Sequence, residues 1–147
     1  MSLPELRDRA MQLAHAPSAE WALVAAKVGE DLENELADPR TLANTSRRIA
    51  EVAHKFGCLT LVGASDVGDR LAAATVALAQ DGLHLRRPGE TDPALIVDGL
   101  LASGASLTVA AWHLKREGVG RAIGAVVIKS SDAEVGPEVD EVVVLDA

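Results

Sequence analysis

Apolar positions change their period near residue 57, and the chain divides there. Upstream they recur every three or four residues, as on the inner stripe of amphipathic helices. Leu6, Ala10, Met11, Leu13 and Ala14 stand among charges and predict a first helix over Pro4–His15. Pro4 lies near its start, where a missing amide hydrogen costs little. Ala16-Pro17-Ser18 breaks this helix, and Ser18 is a good N-cap for a second one running to about Leu36. Asp38-Pro39 opens a third, with Asp as cap and Pro in the first turn. Leu42, Ile49, Val52 and Ala53 face its core side, and Gly57 ends it.

Beyond Gly57, short apolar runs alternate with helical patterns. Strands are predicted at Leu59–Val62, Leu83–Arg86, Leu95–Asp98, Ala122–Ile128 and Glu141–Leu145. Helices are predicted at Asp66–Gln80 and Ser106–Glu117, the second ended by Gly118. Such alternation argues for parallel strands joined by right-handed crossovers. The expected fold class is α/β: a three-layer, open, mostly parallel, Rossmann-like sheet with N-terminal helices. A chain of 147 residues suits one domain, with residues 1–57 packing as a helical portion on the core of residues 58–147.

Composition narrows the function classes. Aromatic residues are 2% and Tyr is missing, so the core must be aliphatic and base-stacking platforms are scarce. With a formal net charge of −8, nucleic acid is not an expected partner. Cys58 stands alone, which leaves no disulfide or zinc pattern and suggests a half-buried thiol acting as a small hydrophobe. His15, His54, His84 and His113 share no ligand spacing, so no metal site or triad is expected. His84 alternates with Leu83 and Leu85, which puts it on the opposite sheet face, packed under a helix or hydrogen-bonded. Glu33 and Glu35 point apart on a helix, and the acidic run Asp132–Glu141 reads as a solvated loop. The N-terminus does not resemble a signal peptide and no apolar run has membrane-spanning length; a soluble cytoplasmic protein is expected.

The segment Ala94–Ser106, ALIVDGLLASGAS, carries the candidate chemistry. A buried strand closes on Asp98, and a loop of small residues, Ala102-Ser103-Gly104-Ala105-Ser106, runs into a helix. Free amides at a helix N-terminus favour an anion. Ser103 and Ser106 add hydroxyl donors, Gly104 allows close approach to the main chain, and Asp98 can accept hydrogen bonds from sugar hydroxyls. Together they suggest a site for a phosphorylated ribose. A well-made strand–turn–helix without a ligand is the alternative for this loop. Arg86 and Arg87 could neutralise a phosphate or be solvated surface, and Asp66 could either face the ligand or cap the next helix.

These residues resemble the signature of the type I phosphoribosyltransferases, closest in pattern to the orotate type. Leu95-Ile96-Val97 match the family's strand, Asp98 its first acid, Leu100-Leu101 its aliphatic pair and Ala102–Ser106 its phosphate loop. Leu59–Gly68 is similar to the first core strand and the loop that holds pyrophosphate, which implies Ala64 and Ser65 as pyrophosphate contacts, with Arg86 and Arg87 as further anion ligands. The resemblance implies phosphoribosyl pyrophosphate or ribose 5-phosphate as ligand, magnesium carried by the pyrophosphate if the protein is active, Asp98 as the catalytic acid, and a homo-oligomer, most simply a dimer. The chain departs from the pattern twice. Gly99 replaces the second acid, and only Pro88–Pro93 stands where the family inserts its flexible lid. The expectation is therefore a ligand-binding member with reduced or no catalysis, with an active transferase or a ligand-free interaction module as alternatives.

Overall fold

The computed structural model describes residues 1–79 and 81–146. Helix α1 (Leu3–Met11) starts with the Glu5 amide on the Ser2 hydroxyl and tightens into a 3-10 turn at Gln12–His15. Helix α3 (Pro39–Phe56) has the expected ends. The Asp38 carboxylate accepts the Thr41 amide at 3.2 Å, Pro39 is the first residue, and Gly57 takes the left-handed conformation at φ 67°. Helix α2 (Trp21–Leu36) starts later than Ser18 predicts. The Glu20 amide bonds the Pro17 carbonyl at 2.9 Å, so residues 17–20 close a separate turn and the helix begins without a side-chain cap.

Strands β1 (Thr60–Gly63), β2 (His84–Leu85), β3 (Ala94–Leu101), β4 (Ala122–Lys129) and β5 (Glu141–Val144) form one wholly parallel sheet in the order β2-β1-β3-β4-β5. Thr60 pairs with both His84 and Ala94, and Asp98 pairs with Val126. β3 does not end at Asp98. Its ladder with β4 continues through Leu100–Ile128 and Leu101–Lys129, so the acid lies inside the strand. Helix α4 (Asp66–Ala79) follows β1 and α5 (Ala105–Arg116) follows β3; the expected end of the former, Gln80, lies outside the described residues. Among the described residues no helix is long and apolar enough to cross a membrane.

Alternation along the central strands sorts two cores. Leu61, Leu95, Val97, Ile123, Ala125 and Val127 join Leu6, Val28, Leu32, Ile49 and Leu71 of α1–α4 on one face. Ala94, Ile96, Ala122 and Val126 meet Leu107, Ala111 and Leu114 of α5 on the other. That second core is completed by Ala133 and Val139 from the β4–β5 connection. The acidic run Asp132–Glu141 is thus not simply solvated. It packs back along α5, with the Gly136 amide on Thr108 Oγ1 at 2.9 Å and the Asp140 carboxylate accepting from the Ala122 amide and Lys115, each at 2.8 Å.

The chain leaves β1 toward β2 on one side, while β3 lies on the other. Parallel sheets open a crevice at such a switch point, beyond the carboxyl ends of the strands. Here α4 presses onto the sheet at Gly68, where an added Cβ would stand 2.1 Å from the Val97 carbonyl oxygen, an atom that also accepts the Ala64 amide at 2.9 Å.

Three glycines give a graded test of this packing. Gly68→Ala meets backbone and should cost about 1–3 kcal/mol or more in urea unfolding. Gly124→Ala meets only the movable Leu107 side chain and should cost less, and Gly120→Ala meets nothing within 4 Å and should be near neutral. Equal effects at all three would refute the close approach of α4.

Candidate functional site at the carboxyl edge of the sheet

Ser65 is the residue that caps α4. Its carbonyl accepts the Asp69 amide at 2.8 Å and its hydroxyl accepts the Gly68 amide at 3.1 Å. Asp66, a candidate for that role in the sequence, is instead the first helical residue. The Ser65 hydroxyl donates its own hydrogen to Asp98 Oδ1 at 2.5 Å, and the Gly99 amide donates to the same oxygen at 2.8 Å. Asp98 is only 6% exposed. Burial pushes its carboxyl above the usual aspartate range, opposed by the hydrogen bonds from Ser65 and Gly99. Its other oxygen, Oδ2, forms no hydrogen bond among the described residues and is the one left for a ligand.

The β3–α5 loop is tighter than its composition suggests. Gly104 has φ 97°, and a Cβ there would fall 1.7 Å from the Glu134 carbonyl oxygen. The glycine admits the chain's own β4–β5 connection, so close approach of a phosphate is not what requires it. The Ser103 hydroxyl accepts the Ala105 amide at 3.2 Å, which uses the first amide of α5 internally. The amides of Ser106 and Leu107 have no partner among the described residues. Ser106 is exposed and borders three adjoining hollows. The smallest, about 70 Å³, is shared with Asp98 and the loop 102–105. A second, about 320 Å³, lies between Ser65, Asp98 and Gly99 and the α2 residues Glu30, Leu32 and Glu33. The third, about 340 Å³, is walled by Gly63, Ala64, Val109 and Ala110.

Ala64, Ser65, Asp98 and Ala102–Ser106 therefore gather at one crevice, and the two arginines do not join them. The Arg86 guanidinium donates to the Glu117 carboxylate at 3.2 Å and to the Glu90 carbonyl at 2.9 Å. Glu117 follows the far end of α5 from Ser106. Arg87 is exposed in the β2–β3 loop, with its amide held by Glu90 Oε1 at 2.6 Å. Glu90 ties this loop down: its other oxygen meets His84 Nε2 at 2.8 Å, and that bond, with the Arg87 amide, holds its carboxyl below the usual range. His84 is thus hydrogen-bonded, as one of its two sequence readings has it.

The charges that do reach the crevice are acidic and come from α2. Glu33 pairs with Arg70 at 2.8 Å and Glu30 approaches Lys27 at 3.9 Å. Gly99 stands where α2 and α4 come close: an added Cβ would lie 2.9 Å from Val67 Cγ1 and 3.1 Å from Leu32 Cδ2, both movable methyl groups. Nothing in the N-terminal sequence announces this, because the amphipathic pattern of α2 marks a buried face without saying which strand end lies beneath it.

The perturbed carboxyl makes a signed prediction. Its raised value means that ionising Asp98 costs the folded state more than the unfolded one, so this residue lowers stability as pH rises from the ordinary aspartate value through the folded one. Asp98→Asn should raise the melting temperature at neutral pH, and the gain should shrink toward zero as pH falls below about 4. A gain independent of pH in thermal melts would show that the carboxyl is not held above its usual range.

The chain matches no protein-family model, no curated protein and no solved structure.

Proposed function

We propose that this chain is a phosphoribosyltransferase-like protein that binds a phosphorylated ribose with little or no transferase activity. One observation carries the proposal: the unpartnered oxygen of Asp98 and the start of α5 at Ser106 face the same crevice. A phosphate there would receive the Ser106 amide and the Ser103 and Ser106 hydroxyls at the positive end of the α5 dipole. Asp98 would accept from ribose hydroxyls, fixed in direction by Ser65 and the Gly99 amide.

Binding without transfer is favoured by the surroundings. A metal-bound pyrophosphate would need a second carboxylate beside Asp98, where the chain has Gly99, and one oxygen of Asp98 already accepts from Ser65 and the Gly99 amide. The residues at hand do not fit that group. The β2–β3 connection, where the family's lid would stand, is short and clasped by Glu90 to His84 and the Arg87 amide. A site that does not close leaves water in contact with the ligand.

Calorimetry with ribose 5-phosphate tests the proposal. Ser106→Asp should abolish the heat through charge repulsion, and Asp98→Ala should weaken binding by about tenfold or more. Incubation with phosphoribosyl pyrophosphate, magnesium and a panel of bases should release no pyrophosphate above a blank. Release that Asp98→Asn abolishes would establish the transferase instead. No heat and no thermal shift at millimolar ligand would leave an interaction module.

A further inference from the structure

A groove of about 790 Å³ runs between α3 and the end of α4, away from the crevice. Small-molecule sites commonly enclose roughly 300–1,000 Å³. Ala43, Ser46, Arg47 and Ala50 line one end from α3, at spacings of three and four that put them on one helical face. Leu78 and Ala79 of α4 form the opposite wall, and Leu78 is 59% exposed. The apolar part of the lining is therefore aliphatic, with no aromatic face for a ring to stack on.

Two polar groups at this end lack suitable partners. Ser46 is only 1% exposed, and its hydroxyl has no hydrogen-bond partner among the described residues. A buried hydroxyl left unpaired costs stability, and a bound acceptor removes that cost. Acids outnumber bases 22 to 14 in the chain, yet among the described residues Arg47 pairs with none of them. Its guanidinium donates instead to the neutral Asn44 Oδ1 at 3.2 Å.

The other end of the groove is charged differently. Glu51, His54 and Lys55 continue along α3, and Asp81 lies just past α4. Asp81 Oδ2 meets His54 Nε2 at 2.6 Å, and Lys55 Nζ stands 5.5 Å from the Phe56 ring centre. The Glu51 carboxylate has no partner among the described residues. Two acids thus face two bases when the imidazole is protonated, and a single base when it is neutral. Neither state leaves net positive charge there, so the uncompensated base is Arg47. One guanidinium beside one hydroxyl suits a single carboxylate, which takes parallel hydrogen bonds from the planar fork and accepts from the serine. A phosphate dianion would keep one charge unmet, a helical turn from Glu51.

We propose that this groove binds an aliphatic carboxylate of medium chain length. Its head group rests on Arg47 and Ser46, and its chain lies along Ala43, Ala50, Leu78 and Ala79. The charged end at Glu51 and Asp81 limits how long a chain gains by lying there. The groove and the crevice share no residue, so neither proposal depends on the other.

Calorimetry of the full chain with octanoate tests it, beside octanol and acetate, which keep only the chain or only the head group. Octanoate should bind saturably at one site per chain, and the other two about tenfold or more weakly. Arg47→Glu, at an exposed position, should weaken octanoate by about tenfold or more through repulsion. Ser46→Ala should weaken it by about threefold or more, and Leu78→Asp by about tenfold. Far-UV circular dichroism confirms that each variant is folded. Octanol binding as tightly as octanoate would mean apolar adsorption, and octanoate heat indifferent to Arg47→Glu and Leu78→Asp would place the ligand elsewhere. Either result, or no saturable heat at millimolar octanoate, would overturn the proposal.

Discussion

The Val97 carbonyl is the point on which the crevice depends. It accepts the Ala64 amide just past the end of β1, and the bare Cα of Gly68 lets the first turn of α4 lie directly against it. Those contacts fix where α4 begins, and so place its cap, Ser65, within reach of Asp98 on the neighbouring strand. A side chain at residue 68 would push the helix outward and take Ser65 with it. The hydrogen bond from Ser65 to Asp98 joins the cap of α4 to strand β3 across 33 residues of sequence, and it holds because the backbone beneath it allows so close an approach.

The same economy of space limits what the site can do. Three glycines at the crevice wall face the protein's own atoms: Gly68 the Val97 carbonyl, Gly99 the side chains of Val67 and Leu32, and Gly104 the Glu134 carbonyl. In sequence Gly104 reads as room for a ligand and Gly99 as a lost acid. In the fold each is a place where one part of the chain rests on another. The open part is narrower: one oxygen of Asp98, the exposed start of α5 at Ser106, and the hollows beside them.

Much of the fold was legible because its signals are local. Asp38-Pro39 and Gly57 mark the ends of α3 through dihedral and capping preferences that need no tertiary partner, and the strand runs from Leu59 onward are bounded by their own turns. What escaped depends on distant residues. β3 runs past Asp98 because β4 supplies partners as far as Lys129. The acidic segment after β4 looks solvated, yet Ala133 and Val139 are buried in the core beneath α5, with Val135 packed against it. Arg86 and Arg87 are a basic pair at a strand end, but Glu117 and Glu90, separated from them in sequence by different distances, decide where they are held. Ser65, Asp98 and Ser106 could be found in sequence because each follows or lies in a strand pointing at one edge. Glu30 and Glu33 could not, since a helix packed on that edge leaves no local mark.

Those two acids bear on which anion the crevice would tolerate. Each hydrogen bond from a neutral donor to a charged phosphate contributes about 1.5–3 kcal/mol, and a helix N-terminus adds about 0.3–1 kcal/mol. Such terms are short-ranged, and they favour a compact group seated against Ser106. Repulsion from Glu30 and Glu33 reaches further, but it is moderated by Lys27 and Arg70 and by solvent, because these pairs lie at the surface. A single phosphate close to the α5 amides can therefore gain more than it loses. A second anionic group extending toward α2 would meet the acids without gaining amides, and Arg86 is committed to Glu117. On the proposed reading, the balance of near donors and farther acids would favour a sugar monophosphate over a polyanion.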